Sequence, residues 1–230
     1  TWVFFDSGSG YVQQTIISDS GAVGISQFGY SVCLDEDGDT MAVGGPADNS
    51  NRGAVWIFVR SGTSWTLQGS KLTGTGTTGF ARRGESVYLS NDGNTLAVGA
   101  PQNGDFSIGA VWVYTRSVTT WTQQTVIYNP LTTNTFQFGI DVSLSTTGDK
   151  LAVNMQYDTT AFIYSRSGIT WTVEATLTPT GVSAGSQFNR GIALSPDGKM
   201  CCVGYPTDTT PSAITWKGSV VVFRNTGSWG

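Results

Sequence analysis

Few residues in this chain are able to do chemistry, and their spacing argues against catalysis. Histidine is absent from all 230 positions. That removes Ser-His-Asp and Cys-His nucleophiles, HExxH metalloproteases and His-ligated zinc or haem. The three cysteines, Cys33, Cys201 and Cys202, show no C-x-x-C spacing and are too few for a disulfide framework. Gly74-Thr-Gly76-Thr-Thr-Gly79 spells G-x-G-x-x-G. A dinucleotide motif must open a helix after a strand, and no helical period follows here, so the segment is expected to be a loop. Carboxylates alternate at Asp35, Asp37 and Asp39 around Gly38, a pattern that first indicates an Asp-Gly turn. Trp65, Trp121 and Trp171 offer rings on which a sugar or base would stack, but their fixed register favours a structural role. No nucleophile–base pair, acid dyad or cofactor loop remains, and the chain is expected to be neither an enzyme nor a cofactor protein.

The elements that position these residues come from a repeat. FGYSVCLDEDGDTMAVGGP from Phe28 recurs as RGESVYLSNDGNTLAVGAP from Arg83, FGIDVSLSTTGDKLAVNMQ from Phe138 and FNRGIALSPDGKMCCVGYP from Phe188. Val32, Val87, Val142 and Ile192 are spaced by 55, 55 and 50 residues. Each copy alternates at period two around Gly38, Gly93, Gly148 or Gly198, which predicts a hairpin with glycine at positive φ. A second segment begins with the apolar runs at 55–59, 111–115, 161–164 and 220–223, and at Trp2–Phe5. Its aromatic residue lies five positions beyond Arg60, Arg116, Arg166, Arg224 or Asp6. Each unit therefore holds two hairpins, or strands A to D. Strand C is an unbroken apolar run, as expected of a strand buried on both faces. Tandem four-stranded units predict an all-β fold, a β-propeller of antiparallel blades.

Phe-Gly at the start of each unit and Val-Gly-Ala-Pro after strand B resemble the FG-GAP repeats of integrin-α-type propellers. The best matches are Phe28-Gly29 with Val43-Gly44-Gly45-Pro46, and Val98-Gly99-Ala100-Pro101. Arg83 replaces the Phe of the second unit, Asn154-Met155-Gln156 replaces Gly-Ala-Pro in the third, and Asn189 replaces the Gly of the fourth. The resemblance implies a calcium loop between strands A and B, for which Asp35, Asp37 and Asp39 are the candidate ligands. Ca²⁺ takes six to eight oxygens, and the final Asp of the family pattern is missing from every unit.

The repeat divides a single domain, 1–230, into blades at about 28–72, 83–128, 138–178 and 188–229, preceded by a C–D strand pair in residues 1–18. That makes seventeen strands, one more than a four-bladed ring requires. Two outcomes are open for the surplus pair. It closes the ring within its own chain, or it docks on the incomplete last blade of a neighbour. In the second case Trp2, Val3, Phe4 and Phe5 meet Val220, Val221, Val222 and Phe223. Cys202 shares a register with Ala42, Ala97 and Ala152 and is expected to fill a small buried site; ring closure would bring Cys33 towards Cys201 and Cys202. Arg60, Arg116 and Arg166 are expected to be solvated edge charges. Asp48, Asp158 and Asp208 are expected to form Asx turns.

The net charge of −4 and pI near 4.6 speak against a phosphate-backbone partner, and no apolar run is long enough for membrane insertion. Low lysine content and abundant Thr, Ser and Gly point to an extracellular or cell-surface location. No N-x-[ST] acceptor is present, so attached glycans would be O-linked. The function expected is a structural or adhesive propeller that associates with itself or another surface protein. The alternatives are a lectin-like propeller that binds ligands or glycans through rim loops, and the non-catalytic part of a larger surface protein or enzyme.

Overall fold

The structure is a computed structural model describing residues 1–76, 78–104, 107–131, 137–156, 158–182, 191–206 and 218–230. The period-two alternation becomes seventeen strands among the described residues. Strands β1 (Trp2–Asp6) and β2 (Tyr11–Ile16) form a hairpin. Sheet I holds β3 (Ser31–Leu34), β4 (Thr40–Gly45), β5 (Ala54–Ser61) and β6 (Ser64–Leu67). Sheet II holds β7 (Ser86–Leu89), β8 (Thr95–Ala100), β9 (Ala110–Ser117) and β10 (Thr120–Tyr128). Sheet III holds β11 (Val142–Leu144), β12 (Lys150–Asn154), β13 (Ala161–Ser167) and β14 (Thr170–Leu177). Sheet IV holds β15 (Ile192–Leu194), β16 (Met200–Tyr205) and β17 (Ser219–Arg224). Strands follow chain order within each sheet, all pairs are antiparallel, and the hairpin glycines Gly38, Gly93, Gly148 and Gly198 take φ of +63 to +66°. Between β4 and β5, Asp48–Asn51 forms one short turn with Asn49 and Ser50 in left-handed conformation. Phe188 and Asn189, at the predicted start of the fourth unit, lie outside the described residues, as does Asp208.

The sheets stack in chain order, and each interface repeats the one before it. Ala42, Val55 and Ile57 of sheet I meet Val87, Leu89, Leu96, Val98 and Trp112 of sheet II. Ala97, Val111 and Val113 of sheet II meet Val142, Leu144, Leu151 and Val153 of sheet III. Ala152, Ala161 and Ile163 then meet Ile192, Leu194, Cys201 and Val203 of sheet IV. Strands β5, β9 and β13 are buried along most of their length because both of their faces are covered. The same alternation leaves every second residue of β17 exposed, since no described sheet covers that face.

The Val-Gly segment permits this close stacking. A Cβ built on Gly44 would lie 2.1 Å from the Gly84 carbonyl oxygen, and one on Gly99 would lie 2.0 Å from that of Gly139. Ser31 Oγ donates to the same Gly84 oxygen at 2.7 Å, and Ser86 Oγ donates to Gly139 at 3.2 Å. The Phe-Gly glycine of one unit thus rests on the Val-Gly glycine of the unit before it.

All three cysteines are free thiols, so Cys33 forms no bridge to Cys201 or Cys202. Cys33 Sγ instead accepts the Leu89 amide at 3.4 Å, between sheets I and II. Cys202 pairs with Val222 as Ala42 pairs with Ile57, so its register is as expected. Its site is half-buried, however, because no described sheet covers that face, and the fully buried thiol is Cys201. Burial pushes the Cys201 thiol up to about 12.

Gly99→Ala should destabilise the protein by about 1–3 kcal/mol through overpacking between sheets II and III. Gly204→Ala occupies the equivalent strand position, where the added Cβ meets nothing nearer than the Gly191 oxygen at 3.7 Å, and should leave Tm within about 2 °C of the parent. Thermal unfolding followed by circular dichroism checks the contrast; equal losses at both positions would contradict it.

Candidate functional site

The acidic turn between β3 and β4 is held by its own hydrogen bonds. Asp35 Oδ1 accepts the amides of Asp39 and Thr40, both at 3.0 Å, and Thr40 Oγ1 donates to Asp39 Oδ1 at 3.2 Å. Hydrogen bonding to the Asp35 carboxyl holds Asp39 above the usual carboxylate range, with burial and the nearby charges of Asp35 and Asp37 adding to the effect. Arg60 closes the turn from below, donating to the backbone oxygens of Gly38 at 2.8 Å and Asp37 at 3.3 Å. Among the described residues no group of three or more His, Cys, Asp or Glu side chains is placed to hold a metal ion. The carboxylates of Asp35 and Asp39 are engaged within the turn itself.

Polar contacts tie each sheet to the next, again in register. Trp65 Nε1 donates to Gln14, Trp121 to Gln68, Trp171 to Gln124 and Trp229 to Glu174, over 2.8–3.1 Å. Arg60, Arg116 and Arg166 sit 5.4–6.0 Å over the rings of Trp65, Trp121 and Trp171. Arg116 Nη1 also reaches Thr40 Oγ1 on sheet I, and Arg166 Nη1 reaches Thr95 Oγ1 on sheet II. Arg116 and Arg166 therefore clamp neighbouring sheets in addition to lining an edge, while the contacts of Arg60 stay within sheet I. The A–B turns are linked as well: the amide of Glu36 donates to Asn91, that of Asn91 to Thr146, and that of Thr146 to Pro196, at 2.9–3.1 Å. Asp158 caps its own turn through the Thr160 amide at 2.7 Å. Asp48 is more deeply engaged; it is fully buried, accepts the Val23 amide and forms an ion pair with Lys71 at 2.7 Å.

The strand pair β1–β2 occupies the place before sheet I that each sheet occupies before its successor. Val3 and Ile17 pack with Met41, Val43, Trp56 and Phe58, and Gln14 accepts from Trp65 as Gln68 accepts from Trp121. The pair has no strands equivalent to A and B, so Val32 and Leu34 of β3 remain 54% and 51% exposed, although their counterparts Val87, Leu89, Val142 and Leu144 are buried. Trp2, Phe4 and Phe5 are exposed as well. At the far end of the stack Val220 and Val222 are 69% and 52% exposed, while Phe223 is buried and Val221 packs against the sheet III–IV cluster. Among the residues expected at an interface, Trp2, Phe4, Phe5, Val220 and Val222 are accessible, whereas Val3, Val221 and Phe223 face inward. Among the described residues the two end faces are not brought together, and β1 and β2 pair only with each other.

Comparison with models of known protein families and with curated proteins finds no match to the chain. No described helix is long and apolar enough to cross a membrane.

Glu174 sits at the last sheet junction, bonded to Lys150, Asn225 and Trp229. Burial raises its pKa, but the bonds from Lys150 and Trp229, the Lys150 charge and the Asn225 bond outweigh it and hold the carboxyl below its usual range. A carboxyl depressed in the folded state stabilises it above the unfolded pKa, and that stability is lost as pH falls through the folded pKa. Glu174→Gln should therefore lower Tm at pH 7, and the gap to the parent should close on acidification to about pH 3. A gap that stays constant between these pH values would show that the carboxylate charge contributes nothing here.

Proposed function

We propose that the chain is a non-catalytic, extracellular structural protein, a β-propeller-type stack similar to FG-GAP repeats, whose copies associate head to tail. One observation supports this reading above the others. Among the described residues, sheets I and IV each leave an apolar face uncovered, and these faces are repeat equivalents of surfaces buried against each other elsewhere in the same chain.

Val220 and Val222 correspond to Val55 and Ile57, on which Val87 and Leu89 rest. In an assembled pair, Val32 and Leu34 of one copy take the part of Val87 and Leu89 on sheet IV of the next. Burying a Val or Leu side chain contributes roughly 1.5–3 kcal/mol, so four such residues and the neighbouring Trp2 and Phe4 can offset a substantial part of the cost of association. The strand pair β1–β2 stays on its own sheet I and widens the docking face. Such a contact uses two different surfaces, so it propagates as a filament unless its rotation closes a ring. The acidic, histidine-free composition supports a role in assembly in preference to catalysis.

Val220→Asp and Val222→Asp test the reading, because both alter the exposed face of sheet IV and leave the internal interfaces alone. The parent chain should sediment as concentration-dependent oligomers, visible as linear or ring-shaped particles by electron microscopy. Either variant should keep the parent's circular dichroism spectrum and sediment as a monomer. A parent chain that stays monomeric at all concentrations, or variants that assemble as well as the parent, would overturn the proposal.

A further inference from the structure

Strand C is paired on both edges in sheets I to III: β5 lies between β4 and β6, β9 between β8 and β10, and β13 between β12 and β14. Two further strands hold the same position in the repeat. β1 is the strand C that precedes sheet I, and β17 is strand C of sheet IV. Among the described residues each pairs on one edge alone, β1 with β2 and β17 with β16.

The backbone bonds around β1 and β17 show which groups lie on the open edges. Thr1 exchanges bonds with Ile17 at 2.8 and 2.9 Å, and the Ser7 amide donates to the Gly10 oxygen. Alternation along the strand keeps Val3 and Phe5 on that same β2 side and turns the amides and carbonyls of Trp2 and Phe4 to the other. There their repeat equivalents, Trp56 and Phe58, meet strand B of sheet I. In β17, Arg224 exchanges bonds with Gly230 at 2.9 and 3.2 Å on the outer edge, while the Asn225 amide turns inward to Lys199. Val220 and Val222 therefore face the outer edge too, where their equivalents Val55 and Ile57 bond to Leu72 and Gln68. No described residue meets these open-edge groups of Trp2, Phe4, Val220 and Val222. β1 thus lacks a neighbour on its strand-B side and β17 lacks one on its strand-D side. Neither Trp2–Phe5 nor Ser219–Phe223 contains the proline or charge that discourages edge pairing.

We propose that in the head-to-tail contact these two edges pair, β17 of one copy lying alongside β1 of the next, so that sheet IV continues into the neighbour's β1–β2 hairpin. The inference rests on the head-to-tail reading and adds backbone bonds, which set register, to apolar faces, which supply area. Within the chain Ala42, on strand B, packs with Val87 and Leu89. A strand on the strand-B side of β1 therefore also covers Val32 and Leu34, and one placement makes both contacts.

The test is quenched amide hydrogen exchange on the full chain, read by NMR in dilute and in assembled samples. The amides of Trp2, Phe4, Val220 and Val222 should exchange freely in the monomer and at least about tenfold more slowly in the assembly. Those of Val221 and Phe223, which face β16, should be protected in both. Val222→Pro removes one open-edge N–H, keeps an apolar side chain and spares the β16 ladder, a substitution that strand edges tolerate. By circular dichroism it should remain folded, and it should associate at least about tenfold more weakly than Val222→Ala. If the proline variant fails to fold, the exchange pattern of the parent decides alone. Open-edge amides that still exchange freely in the assembly, or a proline variant that assembles as well as the alanine variant, would overturn strand pairing and leave the contact between faces standing. A parent chain that stays monomeric at all concentrations would overturn both.

Discussion

Everything in this molecule depends on how closely one sheet's backbone can approach the next, and that distance is set where glycine faces glycine. The Gly84 oxygen lies where a Cβ on Gly44 would stand, and the Gly139 oxygen lies where one on Gly99 would stand. Any side chain there would wedge the sheets apart and open the clusters that hold Trp112, Leu96 and Leu151 at zero exposure. Packing at protein-interior density tolerates little such displacement. The Phe-Gly and Val-Gly segments are thus two halves of one contact, made between successive units.

Around that contact the chain arranges two kinds of interaction with different reach. The apolar residues of strands A to C supply area without direction. The Trp–Gln pairs, the bonds from Arg116 to Thr40 and from Arg166 to Thr95, and the linked A–B turns fix how far each sheet slides or rotates on its neighbour. Because each unit touches mainly the unit before and the unit after, stability accumulates interface by interface. Uncovered faces at the two ends follow from the same geometry, since each sheet completes its core only when a successor arrives.

Much of this was legible in the sequence. Period-two alternation and the turn glycines gave all seventeen strands, because each signal is local to a hairpin. The position of Gln14, Gln68, Gln124 and Glu174, always three residues past the aromatic, was visible as spacing but had no meaning until the next sheet's tryptophan was placed beside it. The roles of Arg116 and Arg166 were missed for the same reason, since Thr40 and Thr95 are more than seventy residues away in sequence. Cys202 shows the limit most clearly. Its register was correct, yet burial depends on a covering sheet, which no periodicity within the unit can supply. Arg83 was legible only as a departure from Phe28 and Phe138, and its buried place over the Trp112 ring required the fold.

The linked turns carry a consequence for the order in which contacts break. Each amide in the series points forward, from Glu36 to Asn91 to Thr146 to Pro196. The final member is a proline, which has no amide hydrogen to hand on. A unit added beyond sheet IV would dock on apolar surface alone at that turn, lacking the bond that every earlier junction makes. If copies associate head to tail as proposed, the seams between them are softer than the seams within a copy, and warming or dilution would part whole subunits while each still keeps its folded stack.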